Sequence, residues 1–372
     1  MSLAPGSVIG IIGGGQLGRM SAIAAARLGF AAHIFSPEAE GPASQVAAFN
    51  TIADYADQAA LRRFATAVDV ITFEFENVPT EGLALLASLK PVHPSPEILR
   101  VSQDRLLEKR FLNDTGLPTA PWIEVLDETG LAAAFATIGL PAVLKTTRLG
   151  YDGKGQAMLR QPADAAIAFA TLAPKPLVLE GFVDYAAEIS VMVARGADGQ
   201  IVAFDPAENR HKHHILDLTL APAPLPPELL AEAGAMARII ADKLGLVGVL
   251  GVEMFVTATG GLLVNEIAPR PHNSGHWTLD ACPFSQFDMH IRAVAGLPLP
   301  LTTRHSDAVM KNLVGPEDLA LWPRILGTPG LIAHHYGKKD ARPGRKMGHV
   351  TRLFPKGGLP GEFGIADALN IE

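Results

Sequence analysis

Two glutamates, Glu253 and Glu266, flank the turn of a short apolar hairpin, GVLGVEMFVTATGGLLVNEIA (248–268). A four-residue turn that pairs Thr257 with Leu262 also sets Glu253 opposite Glu266. Directly opposed like charges destabilise a strand pair unless a cation lies between them. Carboxylate oxygens on a rigid hairpin suit Mg²⁺ that carries nucleotide phosphates. The spacing therefore predicts a metal site at this pair; the alternative is two solvated glutamates on an outer face.

A glycine-rich loop, LGYDGKGQ (149–156), lies between two predicted strands. Backbone amides freed by glycine can fold over phosphates, and Lys154 within the loop can neutralise them. Lys145 ends the apolar strand just before the loop. These features favour a phosphate-binding flap; the alternatives are an ordinary Asp-Gly hairpin turn and a solvated lysine at a strand end.

A third segment, LVLEGFVDYAAEIS (177–190), places Glu180 after an apolar strand and Glu188 eight residues later. Exposed backbone from Glu180 to Val183 could pair with the edge of an adenine, with Glu188 on the ribose hydroxyls.

The chain opens with VIGIIGGGQLGRM (8–20), in which Gly13, Gly15 and Gly18 have the G-x-G-x-x-G spacing of a dinucleotide-binding turn. Such a turn offers backbone amides to an anion at a helix N-terminus. In this fingerprint an acidic residue ends the second strand and binds the ribose. Here the second strand ends at Ser36-Pro37, and the acidic residue, Glu38, comes only after it. The fingerprint is half present, which favours a Rossmann-like sheet that binds another ligand, or packs tightly at its glycines, over an NAD site.

The elements that position these residues change in type along the chain. Strands alternate with helices at 17–28, 57–67 and 80–88, which predicts a parallel βαβαβ unit. After the proline-rich break KPVHPSPEIL and a helix at 104–115, strands come in pairs, which predicts an α+β region. The predicted fold class is therefore α/β and α+β multidomain. The expected domains are a Rossmann-like domain, a central domain and a small mixed β domain, at 1–100, 101–296 and 297–372.

Composition excludes several classes of protein. The 372 residues carry 31 Lys and Arg against 38 Asp and Glu, a net charge of −7, which provides no broad basic field for nucleic acid. A single cysteine, Cys282, cannot form an internal disulfide, and a small buried residue is favoured over a catalytic thiol. No apolar run is long enough to span a bilayer. We expect a soluble, cytoplasmic protein without a membrane partner.

In this order, the pieces resemble the ATP-grasp superfamily. More closely, the segments GGGQLGRM, GYDGKGQ, AENRHKHHIL and NEIAPRPHNSGHW are similar to those of the N5-carboxyaminoimidazole ribonucleotide synthetase family, over nearly the whole chain. The resemblance implies a Rossmann-like domain, an ATP-grasp domain, a small C-terminal domain and a homodimer. It also implies ATP-dependent carboxylation of 5-aminoimidazole ribonucleotide in purine biosynthesis, through carboxyphosphate, giving ADP and phosphate. ATP and Mg²⁺ are the implied cofactors, bicarbonate is the co-substrate, and biotin is not expected.

The resemblance also implies roles for individual residues. The implied ATP contacts are Arg105, Lys145, Gly150, Tyr151, Asp152, Gly153, Lys154, Gly155, Gln156, Glu180, Gly181, Phe182, Val183, Glu188, His211, Asn265 and Glu266. The implied ribonucleotide contacts are Gln16, Tyr151, Asp152, Lys154, His272, Asn273, Lys338 and Arg345. The implied catalytic residues are Lys145, Asp152, Lys154 and Arg270, and the implied metal ligands are Glu253 and Glu266.

The roles expected at the reacting groups have alternatives. Arg270 is placed to hold bicarbonate or carboxyphosphate through two parallel hydrogen bonds, although it could instead pair with a structural carboxylate. Asp152 is expected to orient the substrate amine and accept its proton; the alternative is a solvated turn residue. His272, His276 and Trp277 are expected to line the same cavity. Two of these are histidines, but no further ligand in the pattern completes a tetrahedral zinc site.

Five cations follow one another closely near the C-terminus, namely Lys338, Lys339, Arg342, Arg345 and Lys346. A charge run is usually a solvated face, but within an acidic protein this one is a reasonable cradle for a monophosphate.

Two positions depart from the family pattern. Ala268 replaces an asparagine that many ATP-grasp enzymes carry two residues past the second metal glutamate, and His214 replaces a glycine. We expect the imidazole of His214 to be a surface group.

Other functions are compatible with parts of the pattern. A biotin carboxylase shares the bicarbonate chemistry, but Met310-Lys311-Asn312 has only one methionine beside its lysine. An ATP-grasp ligase of the formyl phosphate type is the nearest alternative. From other classes, a nicotinamide-dependent oxidoreductase and a non-catalytic nucleotide-binding module remain.

Overall fold

The structure, a computed structural model, describes residues 2–148, 150, 154–173, 175–361, 364 and 369. Tyr151, Asp152 and Gly153 of the predicted flap therefore lie outside the described residues. No helix among the described residues combines the length and the apolar composition that a membrane crossing needs.

The N-terminal domain is a four-stranded parallel sheet with helices against it. Its elements are β1 (Val8–Ile12), α1 (Gln16–Arg27), β2 (Ala31–Ser36), β3 (Phe49–Ile52), α2 (Gln58–Thr66), β4 (Val70–Phe73) and α3 (Thr80–Ala87). The strand order is β3-β2-β1-β4, so β1 lies between two neighbours and is almost entirely apolar and buried. The sequence analysis missed β3, because this edge strand exposes Phe49 and Ile52 and lacks a buried apolar face.

Two helices, α4 (Pro96–Ser102) and α5 (Arg105–Asp114), lead into a small lobe. The lobe contains β5 (Trp122–Val125), α6 (Glu128–Ile138), β6 (Ala142–Thr146), β7 (Gln156–Leu159), α7 (Asp164–Leu172) and β8 (Leu177–Gly181). Its four strands form an antiparallel sheet in the order β5-β8-β6-β7. Leu131 of α6 packs with Leu144 and Leu179 of the sheet in the core of the lobe.

The rest of the chain is organised around a nine-stranded sheet. Its first part contains β9 (Tyr185–Arg195), β10 (Ile201–Ala203), β11 (Ala207–Lys212), β12 (Ile215–Ala221), α8 (Pro227–Lys243), β13 (Gly248–Thr257) and β14 (Leu262–Ala268). After a 3-10 turn (Asn273–Gly275) come α9 (Thr278–Ala281), α10 (Gln286–Val294), β15 (Asp307–Val314), α11 (Gly315–Ala320), α12 (Trp322–Gly327), β16 (Leu331–His335) and β17 (Lys346–Phe354). The path runs β14-β13-β9-β11-β12-β15-β17-β16, with β10 paired to β9.

This sheet is continuous across the predicted joint near residue 297, because β12 pairs with β15 from Leu218–Lys311 to Ala221–Ala308. The C-terminal strands therefore extend the sheet of the central region and bring the segment that follows β16 to the same side of the molecule. The mixed α/β and α+β fold class predicted from the sequence is confirmed.

The β13–β14 hairpin has the predicted pair of glutamates but a different turn. Val256 pairs with Leu262, one residue away from the predicted Thr257–Leu262 pair. A β-bulge then places two residues of β14 against one of β13, and the pairing recovers at Glu253 and Glu266. The predicted opposition of the glutamates is confirmed, although the even register assumed for it is wrong.

Candidate active site

A cavity of about 1140 Å³ opens between the glycine loop before α1, the small-lobe sheet and the large sheet. Its wall contains nearly all the described residues that the resemblance implied, and Leu17, Tyr185 and Leu216 in addition. Gly155 is described but does not belong to the wall: its carbonyl accepts a hydrogen bond from the Thr146 amide (2.8 Å), so it closes the β6–β7 turn. The sequence-predicted set is thus gathered in one place, apart from Gly155 and the three undescribed flap residues.

Glu253 and Glu266 face each other across the hairpin and both line the cavity. Burial raises the pKa of Glu253, and the carboxylates of Glu266 and Glu188 raise it further. Each acid has one nitrogen neighbour: Arg105 Nη1 is 3.6 Å from Glu266 Oε2, and His272 Nε2 is 3.3 Å from Glu253 Oε1. Burial holds the pKa of His272 well below its usual value, so Arg105 is the cation of the two. Two opposed carboxylates of this kind are groups that could hold a hard cation.

Helix α5 brings Arg105 to the cavity because its N-terminus is firmly capped. Asp104 accepts hydrogen bonds from the amides of Leu106 (3.0 Å) and Leu107 (3.4 Å), and the Arg105 amide donates to the Thr147 carbonyl (2.9 Å). The guanidinium then lies between the flap and the hairpin, with Nη2 3.5 Å from the Gly150 carbonyl. A cation in this position can reach both the metal pair and a phosphate under the flap.

Lys145 and Glu180 meet because of the register between β6 and β8. Val143 pairs with Glu180 and Lys145 with Val178, so all four side chains share one face and Lys145 is the diagonal neighbour of Glu180. Lys145 Nζ donates to Glu180 Oε2 at 2.9 Å. Burial lowers the pKa of Lys145, and the carboxylate of Glu180 opposes that shift. The ammonium that was predicted at the flap is therefore held at the cavity wall by a buried acid.

The segment after β8 is less open than predicted. Glu180 belongs to a central strand with partners on both sides, Trp122 and Val143. The amides of Gly181 and Phe182 donate to the carbonyls of Pro121 (2.8 Å) and Pro141 (3.1 Å). The expectation of exposed backbone is therefore wrong for Glu180, which lies inside the sheet, and for the amides of Gly181 and Phe182, because the lobe itself uses them.

Glu188 and His211 form the far wall of this end of the cavity. His211 Nδ1 lies 3.0 Å from Glu188 Oε2 across the β9–β11 pairing. Burial raises the pKa of Glu188, but its contact with His211 outweighs this and lowers the pKa. An ionised carboxylate here is a strong acceptor for the hydroxyl groups of a ribose.

The glycine loop of the N-terminal domain is already occupied by an acidic side chain of the protein itself. The Gly15 amide donates to Glu74 Oε1 at 2.8 Å, and a side chain added at Gly15 would place Cβ 2.9 Å from the same oxygen. Glu74 directly follows β4 and was missed by the sequence analysis, since 59 residues separate the partners. Because a carboxylate occupies the amides that would hold a pyrophosphate, the loop does not present a dinucleotide site.

Arg270 lines the cavity, but its guanidinium has a carboxylate partner. Its Nε is 2.9 Å from Glu76 Oε1, and Glu76 is a second acid of the β4–α3 loop that the sequence analysis did not identify. Burial raises the pKa of Glu76, and Arg270 opposes that shift. Beside this pair, His272 donates its backbone amide to Gln286 Oε1 at 2.8 Å.

Three of the five C-terminal cations line the cavity: Lys338, Arg345 and Lys346. Lys338 Nζ donates to the Lys346 carbonyl at 2.7 Å. The other two point elsewhere, because Lys339 pairs with Glu40 and Arg342 with Asp340. The predicted five-residue cluster is corrected to three, with Lys346 added to the residues expected at a phosphate.

His276 and Trp277 do not line the cavity, contrary to expectation. Both are buried in the core, where Gln286 Nε2 donates to His276 Nδ1 (3.0 Å) and Trp277 packs edge-on against Phe204. Their burial follows from the 3-10 turn at Asn273–Gly275, which directs the chain away from the cavity.

His276 lies next to a further group of potential ligands, Asp280, His334 and His349. The rings of His334 and His349 stack with an interplanar angle of 14°. Parallel rings direct their in-plane lone pairs side by side and not toward one point, so the arrangement does not form a metal site. Asp280 instead accepts from His334 Nε2 (3.0 Å).

The two departures from the family pattern both lie at the cavity. Ala268 and His214 belong to its wall, and His214 is also exposed. His213 and His214 form the turn between β11 and β12 with φ of 52° and 64°, a backbone conformation that favours glycine.

A lysine on the cavity wall, a pair of opposed acids on a hairpin and two antiparallel sheets enclosing the cavity are typical of the ATP-grasp class. A model of the ATP-grasp domain matches residues 110–287, and one of the ribonucleotide synthetase preATP-grasp domain matches residues 7–103. A model of the phosphoribosylaminoimidazole carboxylase C-terminal domain matches residues 308–356.

Individual relatives identify one family within the ATP-grasp class. The chain is 52% identical to an N5-carboxyaminoimidazole ribonucleotide synthase of Brucella melitensis, over 95% of this chain and 98% of the relative. It is 46% identical to the synthase of Pseudomonas aeruginosa, over 92% and 93% of the two chains. The chain belongs to the N5-carboxyaminoimidazole ribonucleotide synthase family.

Solved structures agree with this assignment. The crystal structure of an ADP complex of an N5-carboxyaminoimidazole ribonucleotide synthetase superposes with a TM-score of 0.95 at 41% identity, covering 100% of this chain and 98% of that one. An Aspergillus clavatus synthase in complex with ADP and 5-aminoimidazole ribonucleotide has a TM-score of 0.91 at 30% identity, covering 98% and 99%.

Proposed function

We propose that this protein uses ATP and bicarbonate to carboxylate the amine of 5-aminoimidazole ribonucleotide. The products are N5-carboxyaminoimidazole ribonucleotide, ADP and phosphate. The observation that carries the proposal is the arrangement of one cavity, with Lys145 and the paired glutamates on one side and the Lys338, Arg345 and Lys346 group on another. A triphosphate and a monophosphate could be held in it together.

The residues present fit a divalent cation at Glu253 and Glu266. The two carboxylates oppose each other, and burial together with the facing acid raises the pKa of Glu253, so the pair needs a further positive charge. When bound, Mg²⁺ would neutralise charge on the nucleotide phosphates. Asn265, at the bulge beside Glu266, adds an oxygen donor that also lines the cavity.

The first chemical step requires charge neutralisation and alignment more than covalent help. A bicarbonate oxygen attacks the γ-phosphorus, the bond to the β-phosphate oxygen breaks, and carboxyphosphate and ADP result. Lys145, Lys154 and Arg105 are the cations that we assign to the phosphates, and Glu188 with His211 to the ribose.

The second step transfers the carboxyl group to the ribonucleotide. Its amine attacks the carboxyl carbon, phosphate leaves, and the amine loses a proton, for which Asp152 is our proposed acceptor. Arg270 would hold the carboxyphosphate while Glu76 fixes the direction of its guanidinium, since their ion pair leaves other guanidinium nitrogens for an anion. Carboxyphosphate is unstable in water, so the flap is assigned the role of a lid.

The ribonucleotide is assigned to the side of the cavity where the N-terminal domain meets the C-terminal strands. Gln16 at the start of α1 and Asn273 face it, and Lys338 with Arg345 would bind its phosphate. The glycine loop contributes wall surface here and not a dinucleotide site, because Glu74 occupies the Gly15 amide.

A coupled assay of ADP release tests the proposal. With ATP, Mg²⁺ and bicarbonate present, we expect release to require 5-aminoimidazole ribonucleotide for its full rate. The Glu266→Gln protein is the matched control for contaminating ATPases. Release that is equally fast without the ribonucleotide would contradict the assigned substrate, and formate-dependent release would instead favour a formyl phosphate enzyme. A homodimer remains a prediction from the resemblance, and a cytoplasmic location remains a prediction from the composition.

A further inference from the structure

We propose that Lys109, a buried lysine behind the cavity wall, is a positioning residue that frees Lys145 to bind the ATP phosphates. The inference rests on the proposed function and assigns a role to a side chain that does not itself line the cavity. Lys109 acts through Glu180, by keeping that carboxylate neutralised when Lys145 turns toward the nucleotide.

Both lysines contact the same oxygen. Lys109 Nζ is 3.3 Å and Lys145 Nζ 2.9 Å from Glu180 Oε2. Lys109 is 1% exposed and Glu180 3% exposed, whereas Lys145 is half-buried and reaches the cavity. The three groups therefore form a row that runs from the interior, through the acid, to the cavity.

The position of Lys109 follows from helix α5. Arg105 and Lys109 are four residues apart and so lie on the same side of the helix, one turn from each other. The capped N-terminus sets Arg105 at the cavity, and the next turn brings Lys109 under the small-lobe sheet beside Glu180. The helix thus supplies one cation to the ligand and a second cation to the residue behind Lys145.

A row with two lysines behaves differently from a simple pair. If Lys145 were the only partner of Glu180, its movement to a phosphate would leave a buried carboxylate uncompensated, which is strongly unfavourable. With Lys109 in place, Glu180 keeps one ammonium partner after Lys145 turns away. Burial alone would raise the pKa of Glu180, but while both lysines contact it, Lys145 and Lys109, with a smaller effect of Arg105, lower it to about 2; Lys109 is the contact that remains after Lys145 moves.

The row also has an excess positive charge. One carboxylate between two ammonium groups leaves a net charge of one, and of the two lysines only Lys145 lines the cavity. A lone pair would have no net charge and would attract a triphosphate less. Glu180 Oε1 has no hydrogen-bond partner among the described residues, so the carboxylate is held from one side only, by the two lysines.

The test compares Lys109→Met with Arg110→Met. Arg110 is the next residue of the same helix, but it is exposed and pairs with Glu124 on the outside, so this control removes the same charge from the other face. We expect the dissociation constant for ADP and the KM for ATP to rise about tenfold in Lys109→Met, with the KM for the ribonucleotide nearly unchanged. Arg110→Met should stay within about twofold of wild type.

A second substitution distinguishes positioning from mere structural support. In Lys109→Met, Lys145 is trapped by Glu180, so adding Glu180→Gln should release it and recover most of the lost ADP affinity. Loss of packing would not be repaired in this way. If Lys109→Met does not fold, Lys109→Gln keeps a donor for Glu180 while removing the charge, and the same rescue is expected.

Two results would overturn the inference. One is a folded Lys109 variant that binds ADP as wild type does, and the other is a double variant that binds ADP no better than the single one. Failure of the proposed function is separable, because ADP titration measures the role of Lys109 whether or not the wild-type protein carboxylates the ribonucleotide.

Discussion

The surroundings of Lys338 predict how ribonucleotide binding should depend on pH. Burial and the nearby charges of Arg345 and Lys346 together lower the pKa of Lys338 to about 8, although Glu74 and Glu38 oppose the shift. About nine-tenths of the side chains then carry a proton at pH 7 and about one-tenth at pH 9. Because only the ammonium form attracts a phosphate, ribonucleotide binding should weaken as the pH rises through 8.

The size of the effect follows from the contact that is lost. A hydrogen bond to a charged group contributes about 1.5–3 kcal/mol, so kcat/KM for the ribonucleotide should fall by between about tenfold and about 150-fold in total. The fall should be steepest about half a pH unit to one unit above pH 8, at about threefold per pH unit for the smaller total loss and about sevenfold for the larger, before it levels off. Arginine keeps its proton throughout this range, so Lys338→Arg should bind the phosphate with little dependence on pH.

The assay is the initial rate of ADP release at varied ribonucleotide, with ATP and bicarbonate saturating, between pH 6.5 and 9.5. Burial also raises the pKa of Glu108 to about 8, so a titration near this pH is not by itself diagnostic. The Lys338→Arg protein retains Glu108 and shares every substrate ionisation, so the difference between the two profiles belongs to Lys338. If both proteins lose kcat/KM equally above pH 8, the phosphate role of Lys338 is refuted.

Three further predictions concern the metal pair, the N-terminal sheet and the strained turn. Glu266→Gln should abolish ATP turnover without lowering the thermal midpoint, because it removes both a metal ligand and the repulsion with Glu253; retained turnover would remove the metal assignment. Gly10→Ala should destabilise the fold by about 1–3 kcal/mol in urea unfolding, since the new Cβ would lie 2.6 Å from Phe64 Cζ, and an unchanged midpoint would contradict the packing. His214→Gly should stabilise the fold by about 0.5–1 kcal/mol, because relief of the strain at positive φ outweighs the extra conformational entropy that glycine loses on folding. A lower stability in calorimetry would disprove this.

Much of the fold and part of the site could be predicted from local sequence patterns. The predicted helices begin and end within one residue of α1, α2 and α3, since apolar periodicity directly reports which face of an element is buried. The two glutamates could be paired from the hairpin alone, because their strands are joined by a short turn. Even there the sequence did not reveal the bulge, and a one-residue error in the turn was cancelled by it.

Contacts between distant segments were decided only by the tertiary structure. Glu74 caps the glycine loop, Glu76 pairs with Arg270, and Lys109 shares Glu180 with Lys145, yet none of these pairs has a spacing that periodicity could detect. The histidine and tryptophan after Asn273 turned inward for the same reason, because the path of the chain beyond a short turn depends on what it packs against. The sequence alone determined which residues could do chemistry; the assembled sheets determined which of them are bound to one another and which remain for the substrates.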